Sequence, residues 1–352
     1  MEVDGPGYAD PVSEQRRTTA MAMLPRLKSE LIQLQGGQLP SKGLNDSTLV
    51  KGESKVIGSG LLNAPTLNKF EEKGEKVEGV FKQDLGLEIS RNTRKEGFAY
   101  SSSHEMSERA VGSSMVDRFL GANVVAKTDF GIVGGKLGQV MEKGEGVTPS
   151  YKDKKFSKKE GKEVAYGPVK ANQTLDYTDP ELQRQLYALE WVDFFTGEGD
   201  RHGQNLMVKQ GGGEKTKVTG IDNDMGFTEV GQGVTQGGKE PTKYPQWIDA
   251  TLAQRIMAND FTLNNYVKML EPILPARSLE VAKARFPKVK EHAEKLVKEG
   301  KVINKKGENV LDEKNHTMEW GSQQLEQEMR GEGGRGLLAG FWKDQKGKIQ
   351  TN

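Results

Sequence analysis

Cysteine is absent from this chain of 352 residues. Its absence excludes disulfide scaffolds, thiolate zinc sites, iron–sulfur clusters and cysteine nucleophiles together. Histidine is scarce. The four, His104, His202, His292 and His316, never fall at metal-ligand spacing, which argues against a histidine-built zinc centre and leaves all but His202 reading as surface residues. An excess of either charge is missing too. With 51 Lys plus Arg against 50 Asp plus Glu, the formal net charge is +1, so there is no global electrostatic footprint for nucleic acid or an anionic bilayer. No run approaches the ~18 apolar residues of a membrane-spanning helix, so no transmembrane segment is expected. The N-terminus shows no signal-peptide core, and residues 1–13, polar with two prolines, read as a disordered leader.

Glycine is what the chain has in excess: 43 residues, above the ~7% of an average protein. Such a count means either low complexity or many special backbone turns. The stretches 211–213, 231–238 and 331–334 suit flexible tips and a loosely attached tail. The remainder falls between periodic segments, where tight turns are needed.

Residues 14–34 carry a helical pattern that breaks at Gly36-Gly37. Beyond residue 49 short β-like runs follow, Lys55-Val56-Ile57 and then Gly79-Val80-Phe81-Lys82. A helix is expected over residues 105–120, where Val111, Met115, Phe119 and Leu120 recur at helical spacing and Gly121 stands as its stop. Two strands, 124–133 and 137–141, then meet at Gly134-Gly135, a hairpin signal. Residues 144–170 are lysine-rich and weakly apolar, with Lys152, Lys154, Lys155, Lys158, Lys159 and Lys162, and read as a solvated insertion. A strong helix follows over 179–195, with Asp179 as N-cap, Pro180 at its first position and a stripe of Leu182, Leu186, Leu189, Val192 and Phe195. Two short strands, 205–209 and 217–221, come next. Three or four helices are expected between residues 247 and 302, punctuated by Pro272, Pro275 and Pro287. A β-rich segment with one helix, then a mainly helical one, means two lobes of an α+β fold rather than a doubly wound sheet.

The chemistry is concentrated in Gly199-Asp200-Arg201-His202-Gly203-Gln204-Asn205, followed by Gly220-Ile221-Asp222-Asn223-Asp224. One carboxylate can orient an attacking hydroxyl, while an amide and a second carboxylate can hold magnesium across nucleotide phosphates. Hard oxygen ligands suit magnesium and need no cysteine. Taken singly, each of these motifs has an ordinary structural reading: a turn, an exposed strand lysine, surface ion pairs, an Asx turn. Their order along the chain is what distinguishes them.

In that order they resemble the phosphatidylinositol 3-/4-kinase-like superfamily of atypical kinases, nearest in texture to type II phosphatidylinositol 4-kinases, actin-fragmin kinase-like proteins and related bacterial effector kinases. The resemblance spans roughly residues 56–302. It implies a two-lobed protein-kinase-like fold: a leader and helix over 1–48, an N-lobe over 49–145, a larger helical C-lobe over 146–305 and a flexible tail over 306–352. It also implies use of ATP and Mg2+. Gly58, Ser59 and Gly60 would form the turn over the phosphates, and Lys82 would be the strand lysine that pairs with them. Val140, Met141 and Glu142 would form the hinge beside adenine. Asp200 would be the catalytic-loop acid, His202 would shape the same loop or assist proton transfer, and Asn205 and Asp222 would be the metal ligands. The family's helix usually pairs a glutamate with the strand lysine, and Ala110 stands at that place. Either the helix begins irregularly and Glu108 reaches Lys82, or the pairing is altered.

Residues 225–244, after the metal acid, contain only Lys239 and Lys243 as basic residues, along with Glu229 and Glu240, and no aromatic–basic cluster that would dock a bilayer. A protein Ser or Thr hydroxyl is therefore expected as acceptor ahead of an inositol lipid. A pseudokinase serving as a nucleotide-dependent binding module, and a nucleotidyl transferase on the same fold, stay open. With no membrane-spanning run and no signal-peptide core a cytoplasmic location is expected, while the resemblance to bacterial effectors implies delivery into a host cell.

Overall fold

The computed structural model describes residues 44–57, 64–72, 74–84, 105–151, 154–157, 162–165, 170–172, 174–176, 179–198, 201, 203–211, 215–227, 244–245 and 247–303. The expected leader helix and Gly58-Ser59-Gly60 turn, Asp200, His202, His104, His316 and the tail lie outside them, as does most of residues 225–244.

The first lobe is one antiparallel sheet built from β1 (Lys55–Val56), β2 (Thr66–Glu72), β3 (Glu75–Gln83), β4 (Thr128–Val133) and β5 (Lys136–Glu142), in the order β1-β2-β3-β5-β4. Strand β2, whose sequence Thr-Leu-Asn-Lys-Phe-Glu-Glu shows no clean alternation, is held by a seven-residue register with β3 rather than by its own pattern. The β4–β5 turn is the expected one: Gly134 and Gly135 both take positive φ, 60° and 70°. Asp46 accepts both of their amides, at 2.6 and 2.7 Å. Strand β4 starts later than the sequence pattern indicates, at Thr128. Val125 instead forms a parallel bridge to Gly220 in the second lobe.

Side chains alternate across the sheet. On one face Phe70, Phe81 and Val140 pack with Leu44. On the other, Val80 and Met141 pack with Ala126, Leu67 and Ile221.

Helix α1 (Glu105–Leu120) has the expected bounds, and Gly121 ends it at φ 68°. It is wrapped on nearly every side. Val111 and Met115 pack with Phe130 and Ile273, while Val116 and Leu120 join the main core. Its buried polar residues find partners in turn. The Ser107 amide and hydroxyl both donate to Asp84 at the end of β3, and the Ser114 hydroxyl accepts from the Thr128 amide.

The second lobe is organised around α2 (Pro180–Thr196). Asp179 caps it by accepting from the Glu181 amide at 2.9 Å, and Gly197 closes it in the left-handed region. Around it lie α3 (Ala250–Ile256), α4 (Leu263–Leu270) and α5 (Ala276–Lys298). Phe119, Phe195, Phe261, Tyr266 and Phe286 form a connected ring cluster with centroids 4.8–6.3 Å apart. Pro287 does not punctuate the helices as its sequence position suggests. It lies inside α5, which continues past it.

Two further expectations are corrected. Residues 144–170 are not simply loop: β6 (Ser150–Tyr151) pairs with β9 (Lys170–Ala171), and β7 (Lys154–Ser157) with β8 (Lys162–Ala165). A two-stranded ribbon needs no apolar face shared with a core, so low hydrophobicity conceals it. His292 is half-buried rather than fully at the surface. Its ring stacks on Trp191 with centroids 5.8 Å apart, its Nε2 lies 2.7 Å from the Pro245 carbonyl oxygen, and burial lowers its pKa below the usual histidine value.

The hairpin of β10 (Leu206–Lys209) and β11 (Lys217–Gly220) faces the sheet lobe, and a parallel pair, β12 (Ile248–Asp249) with β13 (Val302–Ile303), ties the C-terminal side of α5 back to α3. No helix among the described residues is long and apolar enough to cross a membrane.

Candidate functional site

Strand periodicity places Lys82. It lies two residues beyond Val80 on β3, so it shares the face that looks toward the second lobe. The ladder aligns Leu67, Val80 and Met141 across three strands, a row that leads up to the lysine. From the opposite side comes the turn after β11. The pair Leu206↔Gly220 is the open end of the β10–β11 hairpin, and the Ile221 amide donates to the Asn205 carbonyl at 2.9 Å. Asn205 and Asp222 therefore emerge side by side from the two ends of one hairpin.

Lys82 and Asp222, separated by 140 positions in sequence, form a direct ion pair. The ammonium also donates to Asp224 Oδ2 at 2.7 Å. The two acids differ in surroundings: the Asp222 side chain is 39% exposed, that of Asp224 5%. Burial alone would lower the lysine's pKa, but the two carboxylates raise it above its ordinary value and keep it charged. Burial, reinforced by the neighbouring Asp222 charge, pushes Asp224 up to about 6 even against Lys82. Asp222 is also disfavoured by desolvation, yet Lys82 holds it below the usual carboxylate value.

Asp222 takes a left-handed backbone, φ 59°, which aspartate tolerates better than most residues. That turn lets the carboxylates at positions 222 and 224 converge on one ammonium.

Beneath the loop lies Arg201, 1% exposed. Its Nε and Nη2 grip both oxygens of Asp193 on α2 at 2.9 Å. Nη1 donates to the carbonyls of Asn205 (2.7 Å) and Ile221 (2.9 Å), and Nη2 also donates to the Asn223 side chain. These five bonds match the five N–H donors of a guanidinium. Arg201 is not one of the surface ion pairs that its motif allows. It is a buried clamp joining α2 and the loops that carry Asn205 and Asp222.

The backbone of Val140 and Met141 is not available to a base. Strand β5 lies between β3 and β4, so ladders on both sides use its amides and carbonyls, and the Glu142 amide donates to Lys127. Met141 contributes its side chain instead, beside Val80, Leu67 and Ile221. The open edge is the next segment, residues 143–146, which crosses to the second lobe. A Cβ at position 144 would meet Met207 at 2.7 Å and Ile221 at 3.5 Å. At Gly146, φ +96°, it would lie 2.0 Å from the Val208 carbonyl, so no other residue fits there. Leu67, Val80 and Met141 above, with Met207 and Ile221 below, make an apolar shelf next to the charged cluster.

Glu108 is buried near the start of α1 but does not pair with Lys82, whose ion-pair partners among the described residues are Asp222 and Asp224. Of the two alternatives left open for that helix, the altered pairing is the one found. Asp224, the Arg201 clamp, the crossing segment and the shelf were missed in the sequence. Two signals were readable: the period of two from Lys82 back to Val80, and the second acid in Asp222-Asn223-Asp224.

Among the described residues no group of three or more His, Asp or Glu could hold a metal ion by itself. An amide oxygen of Asn205 and the accessible carboxylate of Asp222 are hard oxygen donors of the kind magnesium accepts when phosphate and water supply the rest. The donor set fits a shared site, not an all-protein cage.

The sequence matches no family model and no curated protein. Among solved structures, a crystal structure of the Helicobacter pylori proinflammatory kinase CtkA is similar to this chain, with a TM-score of 0.43 and 10% sequence identity over 72% of this chain and 99% of that one.

Proposed function

We propose that the chain is an ATP-dependent phosphotransferase of the atypical kinase type. The observation that carries this reading is the meeting of Lys82 from the sheet lobe with Asp222 from the helical lobe, beside Asn205 and an apolar shelf. A nucleoside triphosphate needs those parts together: an apolar slot for a flat base, a cation for its phosphates, and oxygen ligands for the accompanying metal.

In this reading adenine lies on the shelf between Val80 and Met141 above and Met207 and Ile221 below, with residues 143–146 offering backbone hydrogen bonds at its edge. Lys82 turns from Asp222 to the phosphates. Asn205 and Asp222 would hold magnesium, which when bound neutralises phosphate charge. Asp200 directly precedes Arg201, whose five bonds fix the start of that loop, and is the acid proposed to orient the acceptor hydroxyl. Gly58-Ser59-Gly60, between β1 and β2 in sequence, would be the turn covering the phosphates, and His202 would assist proton transfer or shape the loop. The acceptor is a protein Ser or Thr hydroxyl, and the setting that of a bacterial effector.

Purified protein given γ-labelled ATP and Mg2+ with a cell extract or, separately, with inositol-lipid vesicles tests this. Label in protein bands is expected, and Asp222→Ala is expected to reduce it by about 100-fold or more. Label in lipid alone would move the acceptor to an inositol headgroup. Nucleotide binding without transfer to either would make the chain a binding module. Transfer by Asp222→Ala at the parent rate would overturn the site.

A further inference from the structure

We propose that Asp224 is the positioning residue for Lys82: the counter-ion that holds the lysine in place is carried by the metal loop itself and not by helix α1. The inference rests on the nucleotide reading of the same site.

Lys82 has three donors and two carboxylate partners, and burial separates the partners' roles. Asp222 is open enough to leave the lysine for an incoming cation. Asp224 is closed over, 2.7 Å from the ammonium, and has no comparable route to solvent. When Asp222 turns to a metal, Asp224 remains to keep the lysine aimed. The left-handed turn at Asp222 lets one loop supply both carboxylates.

Helix α1 is packed against that loop as a fixed wall. The Ser113 hydroxyl donates to the Asn223 carbonyl at 3.3 Å, and a Cβ at Gly226 would meet the Ser113 hydroxyl at 2.9 Å. At Gly112 a Cβ would meet Leu274 at 2.9 Å and Phe227 at 3.1 Å, so the missing side chain is what lets these elements close. In a helix enclosed in this way, with Ala110 1% exposed in its middle, no carboxylate pairs with Lys82, whose ion-pair partners among the described residues both lie on the loop. The site is assembled when the loop of residues 222–227 is folded, and α1 supports it from behind.

A double-mutant cycle on the full chain tests this, read as the affinity for a fluorescent ATP analogue with Mg2+. Asp224→Asn is expected to weaken binding by about tenfold, equivalent to ~1.4 kcal/mol. Combined with Lys82→Met it should add little further, because both changes remove one interaction. Combined with Glu108→Gln the two effects should multiply. Asp224→Glu should recover part of the affinity. The Mg2+ concentration for half-saturation should stay at the parent value in Asp224→Asn, which a lost metal ligand would not allow. The same Lys82–Asp224 coupling should appear in urea unfolding without nucleotide, so a variant that merely folds poorly is recognised. Parent-like affinity in Asp224→Asn, coupling of Lys82 to Glu108 instead, or a shifted Mg2+ requirement would each overturn the inference while leaving the nucleotide reading intact. No nucleotide binding by the parent would overturn both.

Discussion

Two cations flank the segment 221–224, and they are held in opposite ways. Arg201 below it has every donor satisfied by protein, two of them by the paired oxygens of Asp193 and the rest by three points on neighbouring loops. Lys82 above it is held by two acids, one of which is substantially open to solvent. A cation whose bonds are all internal and buried cannot exchange partners without exposing several polar groups at once. One whose partner reaches solvent can. The arginine therefore fixes the loop, and the lysine is left able to exchange partners. Guanidinium and ammonium suit these tasks, a planar fork for several fixed acceptors and a compact charge for a changing one.

Arg201→Ala breaks the comparison most severely. It leaves Asp193 buried without its partner and frees the Asn205 and Ile221 carbonyls, and loss of a buried pair of this kind costs roughly 3–5 kcal/mol. Urea unfolding should show a loss of that order, with Arg201→Lys recovering only part of it. A change below about 1 kcal/mol, the level of a surface pair, would show that the clamp is not structural.

Lys82→Met should separate function from stability. Asp224, whose carboxyl already titrates at about 6, can take a proton when the ammonium is gone, so the cost should stay within the ordinary ~0.5–3 kcal/mol of a point change. Nucleotide affinity should fall further than in Asp224→Asn while staying measurable. Equal destabilisation by Lys82→Met and Arg201→Ala would erase the distinction between the two cations.

The smallest effect concerns a third buried charge. Asp117, at the C-terminal end of α1, accepts the Val124 amide at 2.9 Å, and residues 124–126 exchange hydrogen bonds with Gly220 just before the loop of residues 221–224. Burial pushes its carboxyl up to about 7. A folded-state pKa above the unfolded one means that the folded chain binds the extra proton, so this group's contribution falls as pH rises from about 4 through about 7. The melting temperature of Asp117→Asn should therefore decline less between pH 5 and 8 than that of the parent. Parallel profiles for the two would remove Asp117 from this account.

How much of this was legible beforehand depended on whether a feature is local. The bounds of α1, the cap at Asp179 with Pro180 after it, and the Gly134-Gly135 turn were readable, because each is set within a few residues by spacing, capping or φ. Strand β2, the ribbon from β6 to β9 and the burial of His292 were not, since pairing partners and distant rings decide them. Within the site, Lys82, Asn205 and Asp222 stood out by residue type and order. The service of Arg201 as a clamp did not, because Asp193 and Ile221 lie eight and twenty positions from it.

The missing cysteines and scarce histidines excluded thiolate chemistry and argued against a histidine-built metal centre without any coordinates, and left carboxylates, amides and lysine as the candidates. The alternation of the two lobes was likewise written in local pattern. Which acid holds Lys82 was not. The choice among Glu108, Asp222 and Asp224 is made by a left-handed turn at Asp222 and by α1 being walled in on nearly every side. The contacts that bring Lys82 to Asp224 and α1 to the loop join segments more than one hundred residues apart, where distance and burial, not spacing along the chain, set which charges meet.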